Sequence, residues 1–353
     1  MSPRPTARSG RPTARSGRLN AGLVTAVGVV LLAASVVTAI TFGPADLGVG
    51  QVWSVLANKL HLAGDPGLTT LQVAMVWQLR LPRVLLAAAC GASLSICGVI
   101  MQSLLRNPLA EPYLLGVSSG ASTGAVLVLV LGVGSALGLS GGAFVGALGA
   151  FAIMLALARL AGGTTDKIVL AGVAVTQGFS ALTSFIIMVG ADANTTRGVL
   201  YWLMGSLASA SWTDVAQTAA AFAVIMVLAL GMAGSLDAFT FGERQAASLG
   251  VAVRRTRVTL LVLTALLTAV VVASSGAIGF VGLVLPHMAR MLVGSRHRGV
   301  LPVSAVLGAI FLLWADTIAR SAFAPLEVPV GVITAMVGVP VFAVLLSRRR
   351  GSR

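Results

Sequence analysis

The sequence predicts an all-α, polytopic membrane protein with about ten transmembrane helices. Three observations carry this. Hydrophobic residues make up 57% of the 353-residue chain and charged residues 10%, where soluble domains carry about 25% charged residues. The apolar residues fall in long continuous runs, enough to cross a bilayer as helices and unlike the alternation of a β-barrel strand. The basic residues lie in short clusters between those runs, and 41 glycines suit close helix approach in lipid.

A net charge of +14 raises a nucleic-acid reading, which the distribution excludes. Ten spans are predicted, at about 21–42, 84–105, 114–134, 143–161, 168–189, 214–234, 258–275, 277–293, 302–322 and 330–347. With the N-terminus inside, 19 of the 24 basic residues fall on the inner side, the bias that orients membrane proteins. The five outside are Lys59, Arg80, Arg83, Arg197 and Arg320. Both termini are then cytoplasmic.

Taken in order, residues 1–20 hold RPTARSG twice, with five arginines and no apolar face, and are expected to be a disordered cytoplasmic tail. The run 21–42 exceeds a signal-peptide core of about 7–15 residues, so it is expected as an uncleaved first span. Residues 43–79 allow a short surface helix, and 190–213 place Tyr201, Trp202 and Trp212 at an interface. The inner segment 235–257 is expected to be a folded cytoplasmic element, and 348–353 a second basic tail. Cys90 and Cys97 share one span and are expected to be packing residues.

The stretch 78–121, QLRLPRVLLAAACGASLSICGVIMQSLLRNPLAEPYLLGVSSGA, is unusual at both ends. Arg80 and Arg83 bracket Pro82 at its start. At its finish Pro108 stops the helix and a Gly/Ser-rich turn follows. A structural turn fits Asn107, Pro108, Gly116, Ser118 and Ser119. Gln102, Asn107 and Gln177 are candidate pore-lining polar groups. Gly276, Gly279 and Gly282 recur every three residues, as in helix packing. No phosphate-binding loop is visible, and His61, His287 and His297 are scattered, so no catalytic or metal site is predicted. The string LSGGA at 139–143 falls in an expected outer turn and is taken as chance. Asp316 is the one mid-span carboxylate candidate, and a local pair with Arg320 is favoured over a proton relay. A gradient-driven transporter needs such groups, so a borrowed ATPase is favoured.

RLPR at 80–83, GASLSICGVIMQSLLRNPLAEPYLLGVSSGAS at 91–122, GERQAASLGV at 242–251 and SGAIGFVGLVLPHMARMLVG at 275–294 resemble the FecCD family of ABC-importer permeases, as do 301–320 and 325–346. The likeness runs from about 21 to 347. It implies a ten-helix type II importer permease in a bacterial cell membrane, paired with a second permease copy, identical or related, and a cytoplasmic ATPase dimer that binds ATP and magnesium. It implies a periplasmic or lipid-anchored binding protein docking on Arg80, Arg83 and Arg320. It also implies an ATPase-coupling segment at Gly242–Val251. There Glu243 starts the element, Ala246, Ala247, Leu249 and Val251 would offer an apolar surface, and Gly250 would end the helix. It sets Asn107–Ser119 near an inner gate. The expected cargo is an iron–siderophore, with haem and cobalamin as alternatives. A gradient-driven exporter or symporter and a structural scaffold fit the sequence less well.

Overall fold

The computed structural model describes residues 19–348, apart from 44–46, 60, 63, 65–66, 133–136 and 324–325. Most of the basic tail expected at 1–20, and the tail after residue 348, lie outside the described residues. All regular structure among the described residues is helical. Among the described residues seven helices are long and apolar enough to cross a membrane, and three shorter apolar helices complete a set matching the predicted spans.

The Leu19 N–H donates to the Leu292 carbonyl, and Asn20 caps α1 (Ala21–Thr41) through the Gly22 N–H. A short helix α2 (Val49–Lys59) follows, as expected for the outer segment. The next span departs from the expectation. It begins at Thr70 rather than near Val84, and its three parts, α3 (Thr70–Ala74), a π-helical turn (Met75–Arg80) and α4 (Leu81–Leu104), form one 35-residue helix. Pro82 does not start it. Pro82 cannot donate to the carbonyl four residues back, and the wide π turn just upstream carries the helix past that gap.

α4 is the centre of the fold, with every residue from Cys90 to Leu104 buried. Against it pack α9 (Trp212–Gly231), α12 (Val253–Ser275), α13 (Val281–Val293) and α14 (His297–Ser321), while α5 (Val117–Leu131), α6 (Gly138–Leu160) and α7 (Thr165–Gly190) pack on one another, with α5 and α6 also against α12. Glycine allows the closest approaches. A Cβ on Gly91 would strike the Gly308 carbonyl of α14, and one on Gly98 the Gly282 carbonyl of α13. α15 (Val330–Arg348) closes the bundle, and α8 (Ala193–Leu203) lies in the 190–213 segment, capped by Asp192 on Thr195 N–H. Its companion Trp212 stacks on Trp77 at 5.1 Å and donates to the Trp77 carbonyl. The LSGGA string lies on α6, not in a turn.

The eighth span is also corrected. Gly276–Phe280 is not helical: Gly276 has φ +67° and Phe280 φ +68°, and α13 starts at Val281. The Gly276/Gly279/Gly282 triplet is therefore not a helical stripe. Irregular backbone at membrane depth needs partners from the protein. Tyr113, from the 3-10 turn Pro112–Leu115, supplies two, donating to the Ile278 carbonyl (2.8 Å) and accepting from its N–H (2.9 Å).

Candidate functional site

The bundle has two chemically different ends. At one, the end of α1, the start of α4 and the end of α14 converge. Arg80 donates to the carbonyls of Ile40 and Thr41. Arg83 grips Asp316 with Nε and Nη2 at 3.0–3.1 Å, and its Nη1 meets Glu327 Oε2 at 3.0 Å. Arg320 Nη2 donates to the Ala39 carbonyl, and its Nε lies 3.8 Å from Asp316. The three arginines singled out in the sequence thus gather at one place across more than two hundred residues.

Their setting differs from the expected one. Arg80 is 6% exposed, Arg320 4% and Asp316 1%. The predicted Asp316–Arg320 pair exists, but Arg83 is the closer partner of the carboxylate. Buried charges demand pairing, and Asp316 serves two guanidiniums. Glu327 differs, with its side chain 36% exposed against 11% for Arg83. It is the accessible member of the cluster.

At the other end, α10 (Ala233–Phe239) and α11 (Glu243–Ser248) form the folded element expected at 235–257, hinged at Gly242 (φ +104°). Gly250 (φ +82°) terminates α11 with the Val251 N–H on Ala246 and its own N–H on Ala247, both at 3.0 Å, a Schellman ending. The displayed apolar surface differs from the expected set. Ala246 is fully buried, and Val251 packs against the core. Leu249 is 68% exposed, and so is Phe241, which sequence reasoning missed. Nothing in FTFGERQ marks that ring as outward.

One ion pair and one line of hydrogen bonds anchor this element to the spans. Glu243 Oε1 accepts from Thr165 Oγ1 at 3.0 Å, at the start of α7, and pairs with Arg257 Nη2 on α12. The Arg257 hydrogen bond holds the Glu243 carboxyl below its usual range. Asp237 Oδ1 accepts the backbone N–H of His297 and lies 2.6 Å from its Nδ1, while Nε2 lies 2.5 Å from Ser103 Oγ on α4. The residue types are those of a nucleophilic triad. Ser103 and His297 are buried at a helix junction, so the line acts as a tie from α10 through α14 to α4. The residues are too far apart in sequence to pair by inspection.

The candidate pore and gate residues divide. Gln102 is 5% exposed and donates to the carbonyls of Gly282 and Leu283, while accepting from Arg290 at 2.6 Å. The reason lies in α13: Pro286 has no N–H to offer Gly282, and the amide of Gln102 satisfies that orphaned carbonyl. Asn107 caps its own turn on Leu109 N–H, next to exposed Pro108. Gly116 adopts φ +75° against Val175 of α7, and Ser119 donates to its carbonyl. Ser118 is half-buried and Gln177 exposed on α7. The Arg106 guanidinium lies beside Gly242, so this turn and the α10–α11 element share one end. Cys90 and Cys97 are free and buried. Among the described residues no group of three or more potential ligands could hold a metal ion.

Comparison with known proteins agrees with this helical fold. Residues 31–348 match the FecCD transport family. The chain is 43% identical over 301 residues to a cobalamin import system permease of Halobacterium salinarum, covering 85% of this chain and 80% of that protein. It is 40% identical over 314 residues to an Fe(3+)-citrate import system permease of Bacillus subtilis, covering 86% and 92%. A solved ABC transporter described as of the metal-chelate type, in an inward-facing conformation, superposes with TM-score 0.79 at 30% identity, covering 93% of this chain and 99% of that one.

Proposed function

This chain belongs to the FecCD transport family, and from that premise we propose that it carries an iron–siderophore or a closely related ferric chelate across the bacterial cell membrane. It is a multi-pass permease of an ABC importer, a transport subunit and not an enzyme; ATP hydrolysis and substrate capture belong to an ATPase and a binding protein. The observation that supports a ferric cargo is the 40% identity to a ferric-citrate permease across most of both chains. The 43% identity to a cobalamin permease favours cobalamin as the second reading. Uptake by the reconstituted importer, offered ferric siderophore, cobalamin and haem in turn, separates them. Accumulation of cobalamin with none of the ferric chelate overturns the first reading.

In this reading the arginine end faces outward and receives the binding protein, and the α10–α11 end faces the cytoplasm with both termini. Arg80 and Arg320 shape the receptor, and Arg83 meets the incoming carboxylate where Glu327 now sits. Charge pairs of this kind govern orientation and on-rate. Glu327→Gln should speed association of the binding protein, and Arg83→Gln should slow it. Equal association rates in both variants overturn the docking role. Leu249 and Phe241, flanking Glu243 and Ala247, form the ATPase contact. Leu249→Glu should uncouple ATP hydrolysis from transport, and normal coupling in that variant argues against the contact. A second permease copy completes the translocation path past Asn107, Gly116, Ser118 and Gln177, and Gln102 sets the α4–α13 spacing behind it.

A further inference from the structure

We infer that the end of the bundle carrying α10 and α11 has a binding site for an anionic phospholipid headgroup. A cavity of about 490 Å³ opens there between the α6–α7 turn and the start of α12. Its polar wall holds Arg159, Arg254 and Arg257, with Gly162, Gly163 and Thr164 leading into α7. Arg159 and Arg254 also line an adjoining hollow that adds Arg255. Glu243 is the acidic residue lining the cavity, so cationic charge dominates.

Two further observations point to a bound anion. Arg257 lines this cavity, 7% exposed, and its Nε is buried without a hydrogen-bond partner. A buried donor left unsatisfied is costly. The 26-residue helix α7 starts at the same wall with no side chain capping its N-terminus, so its first N–H groups and its dipole favour negative charge there. A phosphate would answer both. What separates a lipid from a free anion is the apolar part of the lining, half-buried Leu155 and Val258 over fully buried Ala158 and Leu261. A diacyl phosphate can lay a chain on that lining with its headgroup among the arginines. Basic pockets at helix ends on the inner leaflet suit this chemistry. The site depends on the membrane-spanning fold and not on the cargo. Because Arg257 also holds Glu243, an occupant lies one ion pair from α11.

The test uses the full chain in its assembled importer, in nanodiscs and by native mass spectrometry. Phosphatidylglycerol, phosphatidylcholine and inorganic phosphate serve as the probes. Arg159, Arg254 and Arg255 are replaced together by Gln, leaving buried Arg257 in place, and a second variant replaces Arg296 and Arg298 to remove charge elsewhere. Phosphatidylglycerol should be retained over phosphatidylcholine, and its affinity should fall about a hundredfold in the triple variant, from about fivefold per arginine, with little change in the control. Equal retention of the two lipids, equal loss in both variants, or unchanged retention in the triple variant overturns the inference. Inorganic phosphate competing as well as the lipid overturns its lipid form.

Discussion

Replacing Asp316 by Asn removes the carboxylate that holds buried Arg320 and mostly buried Arg83 while keeping its size. Arg83 loses a grip made through Nε and Nη2 at 3.0–3.1 Å, and Arg320 loses its nearest charge. Arg320 remains buried at the junction of α1, α4 and α14, and Arg83 keeps only Glu327. Breaking a buried pair costs about 3–5 kcal/mol, because the surviving charge is left uncompensated. The same pair replaced as a unit by apolar groups is often neutral. Asp316→Asn should therefore lower Tm by roughly 10 °C in nanodiscs, and the double variant Arg83→Met with Asp316→Leu should recover part of that loss. Glu327→Gln serves as the control, since its carboxylate is accessible and such pairs contribute about 0.2–1 kcal/mol. A wild-type Tm for Asp316→Asn, or a double variant worse than the single, would refute a cluster held by buried charge.

Tyr113→Phe leaves the Ile278 N–H and carbonyl without their partner in the 276–280 break, and should cost about 1–3 kcal/mol, with faster hydrogen exchange at Ile278. Gly98→Val drives a side chain into the Gly282 carbonyl and should prevent stable assembly; a variant that purifies as a monodisperse importer contradicts the α4–α13 approach. Glu243 has a depressed folded-state carboxyl, so its contribution is present above the ordinary value of 4.5 and is lost as pH falls through the lower folded value. Hydrogen-exchange protection of α11 should be flat from neutral pH down to about 5 and decline below 4.5, a decline that Glu243→Gln abolishes.

The spans were legible because apolar length is a one-dimensional property of the sequence. Their irregularities were not. Pro82 reads as a helix start, yet a π turn upstream lets the helix begin at Thr70. Gly276, Gly279 and Gly282 share a helical spacing, yet left-handed φ values at Gly276 and Phe280 interrupt the chain between them. At the arginine end, charge bias pointed to Arg80, Arg83 and Arg320, but the setting of Arg83 and Arg320 depends on Asp316, 233 residues from Arg83. At the α10–α11 end GERQAASLGV coincides with a folded element, while a six-residue helix gives no periodicity to tell buried Ala246 from exposed Leu249. The Asp237–His297–Ser103 tie and the Gln102 bond to the Gly282 carbonyl join distant segments, and no local pattern announces either.

The most direct measurement is uptake of a ferric siderophore into proteoliposomes holding the permease, its ATPase and its binding protein, with ATP and ion gradients varied separately. Accumulation should require ATP and the ATPase subunit and should persist when proton and sodium gradients are collapsed. Accumulation that continues without the ATPase, driven by an ion gradient alone, would contradict an ABC-importer permease at its foundation.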